Sequence, residues 1–101
     1  MFSLKIAYDN SSENLVRELE TLIPSKYPLI KLEAYNENIF KERKKAFKLK
    51  NSYSARQCPF AVLLDADKKV VSAFYSEAQD CNLDNIFEVL NNYVTYGKKV
   101  Y

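Results

Sequence analysis

The chain contains no histidine, so by itself it cannot build a Ser-His-Asp triad, a histidine general base or a histidine-ligated metal centre. Its single glycine, Gly97, rules out the phosphate-cradling loops that need several glycines close together. Only two cysteines are present, Cys58 and Cys81. A structural zinc site takes four nitrogen or sulfur ligands, so neither a metal nor a cofactor is expected. The opening residues MFSLKIAYDN lack the basic, then long apolar, pattern of a secretory leader, and the expected setting is cytoplasmic and reduced. Apolar runs are strand-sized, as in Phe60 to Leu64, far below the roughly 20 residues that span a bilayer, so no membrane partner is expected.

What is present belongs to one ordered unit. Of the 101 residues, 48% are hydrophobic and 28% charged, which is the composition of a folded domain rather than of a linker. The length leaves no room for a second catalytic domain. A single domain over 1–95 is expected, with 96–101 as a frayed tail.

Hydrophobic spacing divides the domain into seven elements. Phe2 to Asp9 alternates, with Phe2, Leu4, Ile6 and Tyr8 on one face, which predicts a strand. The polar break NSSEN supplies helix caps in Asn10, Ser11 or Ser12, followed by an acidic first turn at Glu13. Leu15, Val16, Leu19, Leu22 and Ile23 then form one helical stripe, which Pro24 is expected to end. Leu29 to Tyr35 alternates again and predicts a second strand, and Glu37 to about Lys50 predicts a second helix. Ile39, Phe40, Phe47, Leu49 and Ala46 are assigned to that helix's apolar face, with Arg43 among them. Phe60 to Leu64 suits a strand buried on both faces, and the turn DADKK leads into Val70 to Tyr75 as its hairpin partner. A last helix, capped by Asn82, carries Leu83, Ile86, Phe87, Leu90, Tyr93 and Val94 at helical spacing. Joined by a crossover helix, the first two strands should run parallel, giving a mixed four-stranded sheet flanked by helices.

The element order β-α-β-α-β-β-α, together with Cys58-Pro59-Phe60 placed directly before an apolar strand and hairpin, resembles the thioredoxin and glutaredoxin fold. That resemblance implies a cis proline at Pro59 and places Cys58 opposite the start of the first helix. It also implies short antiparallel hydrogen bonding of a peptide or glutathione beside the proline. One departure is decisive. Redox members carry Cys-x-x-Cys between the first strand and first helix, whereas Asp9 to Leu15 contains no cysteine. A thiol at a helix N-terminus is activated by the dipole and free amides, and a serine hydroxyl ionises far too weakly to replace it. The expected function is therefore a redox-inactive thioredoxin-like binding or adaptor domain. Its ligand groove would use Ser11, Ser12, Asn14, Cys58 and Pro59. The alternative is an atypical thiol oxidoreductase or glutathione-binding protein using Cys58, the one candidate catalytic residue, with its thiolate stabilised by the Ser11 to Asn14 amides.

Charge is uneven. Lys41 to Lys50 holds six bases against the single acid Glu42, in a chain whose net charge is +2. Because Phe40 and Phe47 lie seven apart, they are assigned to the core side of the second helix. The bases then read as a solvated face, which argues against a nucleic-acid partner.

Overall fold

Side-chain alternation sorts each strand between two cores. In β1 (Phe2–Tyr8), Leu4 and Ile6 are buried on one face of the sheet and Ala7 on the other. β2 (Ile30–Asn36) adds Ile30, Leu32 and Ala34 to the first core and Tyr35 to the second. All five residues of β3 (Phe60–Leu64) are buried, as expected for a strand covered on both faces. β4 (Val70–Tyr75) completes the sheet, in the order β2-β1-β3-β4. β1 runs parallel to β2 and antiparallel to β3, and β3 runs antiparallel to β4 with a bulge at Leu63/Leu64. Among the described residues the chain is thus an α/β unit with a mixed four-stranded sheet and three helices. The computed structural model describes residues 1–95. The tail expected over 96–101 lies outside the described residues, as does the side chain of Val94, for which a core placement is expected.

The first core lies under α1 (Glu13–Lys26) and α3 (Leu83–Leu90), where Val16, Leu19, Ile23, Ile86 and Leu90 meet Leu4, Ile6, Ala61, Leu63 and Phe74. Helix α1 passes through Pro24 instead of stopping there. Proline lacks the N–H that the fourth-preceding carbonyl would accept, but the last turn is held by tertiary packing. Ile23 is buried, Tyr27 N donates to Ile23 O at 2.7 Å, and the Tyr27 ring stacks on Phe87 with centroids 5.9 Å apart. The expected cap of α3 is present, since Asn82 Oδ1 accepts from Asn85 N at 2.9 Å. A π-helical turn over Asn91–Thr95 follows, and Tyr93, expected on the core stripe, is exposed there.

The second core is smaller and lies under α2 (Phe40–Ser52), with Ala46, Leu49, Ala55, Phe60, Val62 and Leu64 as its main members. Here the expected apolar face holds for Ala46 and Leu49 but not for Ile39, Phe40 and Phe47. Phe40 is 85% exposed and Phe47 44% exposed, and Ile39 also faces outward. The sheet side of α2 consists of Ala46, Leu49 and Lys50, residues small or flexible enough for the helix to lie close to the strands. The helix ends in a Schellman arrangement. Ser54, at φ 57, occupies the left-handed position, Ala55 N donates to Lys50 O at 2.8 Å, and Ser54 N donates to Asn51 O at 3.3 Å.

Candidate functional site

The site forms where the start of the first helix, the link between β2 and α2, and the loop before β3 converge. Asp9 follows β1 and caps the 3₁₀ turn Asn10–Ser12 that leads into α1. Its Oδ1 accepts from Ser11 Oγ at 2.6 Å, Ser12 Oγ at 2.9 Å and Ser12 N at 3.2 Å, while Asp9 N donates to Ser12 Oγ at 3.1 Å. Asp9 thus caps the 3₁₀ turn in a reciprocal capping box, while Ser12, one of the expected caps, holds the N-cap position of α1 without a side-chain hydrogen bond to it. The Ser11 hydroxyl, above all, holds the Asp9 carboxyl below its ordinary range; burial opposes this and the Ser12 contacts reinforce it.

Three asparagines tie that turn to the β2–α2 link. Asn36, buried at the end of β2, donates from Nδ2 to Asn10 Oδ1 at 3.1 Å and accepts at Oδ1 from Asn38 N at 2.8 Å. Asn38 Oδ1 in turn accepts from Asn10 N at 2.8 Å. Glu37 N donates to Tyr8 O at 2.8 Å, which holds the link against the end of β1. The Glu37 side chain is thereby fixed between α2 and the loop before β3.

That loop is held at two points. Tyr75 Oη donates to Tyr53 O at 2.7 Å, and Arg56 N donates to Glu77 Oε2 at 2.8 Å. Cys58 follows, and the Cys58–Pro59 peptide is cis. Among the described residues, the Cys58 amide and carbonyl enter no backbone hydrogen bond. Cys58 Sγ donates to Glu37 Oε1 at 3.2 Å, and the same oxygen accepts from Lys50 Nζ at 2.6 Å. The Lys50 and Glu37 side chains are only 10% and 21% exposed.

Asp9, Glu37 and Cys58 bring their ligand atoms within 4.8 Å of one another. These donors are already engaged, Glu37 by an ammonium and Asp9 by two hydroxyls and an amide, so the arrangement is a hydrogen-bonded ion-pair network. Burial pushes the Cys58 thiol up to about 12; the hydrogen bond to Glu37 adds to this and nearby Lys50 only partly offsets it. Burial also pulls the Lys50 ammonium down, but Glu37 and Cys58 together outweigh it and raise its pKa. Electrostatics at the sulfur thus run opposite to those that activate a thiolate. The Ser12 amide, expected to face Cys58, is turned to Asp9, and two carboxylates lie near the sulfur. Cys81 is a second free thiol, also pushed up to about 12 by burial and then by Asp80.

Comparison with family models, with curated proteins and with solved structures finds no match to this chain. The fold and the site geometry therefore carry the functional reading.

Of the residues singled out from the sequence, Ser11 and Ser12 reach the Cys58 cluster through Asp9. Asn14 stands exposed on the first turn of α1 and forms no side-chain hydrogen bond among the described residues. Sequence reasoning missed Asp9, Glu37 and Lys50. Lys50 belongs to the run that reads as solvated bases, and nothing in a run of lysines marks the one that folds inward. No helix among the described residues is long and apolar enough to cross a membrane.

Proposed function

We propose that this chain is a redox-inactive thioredoxin-like domain that binds an extended peptide segment of a protein partner in the groove between the start of α1 and the Cys58–Pro59 loop. Support for the fold comes from the strand order β2-β1-β3-β4, the parallel crossover through α1 and the terminal hairpin. The observation that carries the function is the pair of Cys58 backbone groups left without backbone partners. They sit beside a helix start and above a thiol that keeps its proton at neutral pH. Such groups suit strand addition, in which main-chain hydrogen bonds supply affinity and flanking side chains supply selectivity. A thiol-enzyme role for Cys58 is opposed by its neighbouring carboxylates.

The test is selection of a random-sequence peptide library against the full chain, with bound peptides mapped by amide chemical shifts, alongside turnover of glutathione disulfide. Selected peptides should perturb the amides of Cys58, Phe60, Ser11 and Ser12, and turnover should be absent. Turnover that is lost in Cys58→Ser, or peptides that map to another surface, would overturn the adaptor reading.

A further inference from the structure

The outer face of α2 combines exposed aromatic rings with exposed cations, of which Arg43 also donates from Nε to Glu37 O at 3.0 Å. Phe40 and Phe47 project from it, about 10 Å apart along the helix by its rise per residue. Lys41, Arg43, Lys44 and Lys48 surround them. Together with Asn51 and Ser52 these side chains line a shallow, open groove of about 1020 Å³. Among the described residues, that lining contains four cations and no carboxylate. Among the described residues, none of Lys41, Arg43, Lys44 and Lys48 forms a salt bridge. Phe47 is held in place from beneath, where Lys50 Nζ lies 5.1 Å from its ring centroid.

We infer that this face binds single-stranded nucleic acid, with the cations on phosphates and the two phenyl rings stacking on bases. Charge complementarity calls for a polyanion, and the rings select among polyanions. A flat ring that stands out from a cationic surface matches an unstacked base, because every base offers a π-face. A duplex keeps its bases stacked away from such rings. A lipid surface requires a continuous apolar stripe along a helix, whereas here lysines interrupt the stripe and the remaining apolar residues of α2, Ala46 and Leu49, pack on the sheet. A peptide partner would anchor a side chain in an enclosed pocket, and this groove is open along its length.

The experiment measures fluorescence anisotropy of a labelled oligothymidylate of about 12 nucleotides, a length within the usual site size of such surfaces, against the full chain over a range of salt concentrations. Binding should weaken with salt at a logarithmic slope approaching about −3, as four phosphate contacts on a single strand require. Phe40→Ala should weaken binding by about 10-fold with the slope unchanged, the lower range for loss of one stacked base. The double variant Lys44→Gln, Lys48→Gln should flatten the slope by about 1.4. These side chains are exposed, and an unchanged circular dichroism spectrum verifies each fold. Absence of binding at low salt, indifference to Phe40→Ala, equal affinity for a duplex of the same length, or tighter binding of polyglutamate or phosphatidylserine vesicles would each overturn the assignment.

Discussion

Lys50 Nζ lies 2.6 Å from Glu37 Oε1, so a residue in the last turn of α2 is paired with one that precedes the helix. The pair spans the helix from one end to the other and turns a lysine of a basic run into part of the second core. Its carboxylate also receives the Cys58 thiol, which links helix placement to the state of the sulfur.

Replacing Glu37 by Gln should leave the Lys50 ammonium largely buried without its counter-charge. A loss of about 1–3 kcal/mol is expected in urea unfolding, the cost of an unsatisfied polar group in a mostly dry site. The double variant Glu37→Gln, Lys50→Met should cost less, because it removes both charges of the pair and keeps the apolar stem. Equal losses in the two variants would show that the ion pair has no special part in holding α2.

Alkali should destabilise the protein through its thiols. Burial raises Cys58 and Cys81 from an ordinary 9.0 to about 12. Below 9 both the folded and unfolded chains keep these protons. Between about 9 and 12 the unfolded chain releases protons that the folded chain still holds, so stability declines as pH rises. Tyr8 and Tyr27, also raised by burial, act in the same direction. Unfolding free energy measured against pH should therefore fall less steeply in the double variant Cys58→Ala, Cys81→Ala than in the wild type. Parallel curves would contradict the assigned shifts.

At Ser54 the backbone takes the left-handed conformation, at φ 57, that glycine adopts without a Cβ penalty. Relief of that penalty exceeds the added flexibility of glycine in the unfolded chain, so Ser54→Gly should stabilise by roughly 0.5 kcal/mol. The midpoint of thermal unfolding is the readout, and a decrease would show that the serine contributes something its hydrogen bonds do not reveal.

Most of the architecture was legible wherever large apolar residues alone set the phase. Leu4 and Ile6 in β1, Val16, Leu19 and Ile23 in α1, the run Phe60 to Leu64 and the Asn82 cap of α3 all behave as their spacing predicts. Helix α2 does not, because its orientation is decided by small side chains against the sheet and by one ion pair. Ala46 fits beneath the helix where Phe40 and Phe47 do not, and Lys50 is drawn inward by Glu37, thirteen residues earlier in the chain. Pro24 misled for a related reason, since the burial of Ile23 and Tyr27 outweighs a missing hydrogen bond. The candidate site was half visible. Cys58 and the serines could be named from their positions, but the carboxylates that set the sulfur's chemistry come together only through contacts between distant segments.

Among the described residues the sheet has two open flanks, β2 and β4, and they are dressed differently. On β2, Lys31 and Glu33 form an ion pair at 3.3 Å, and Lys5 of β1 approaches the same glutamate. The ladder to β4 is displaced by the bulge at Leu63/Leu64. Charges and local kinks of this kind spoil the straight rows of donors and acceptors from which strands of separate molecules template one another. Each border is thus a poor seed for fibril growth, although β4 itself is rich in residues that favour extended chain.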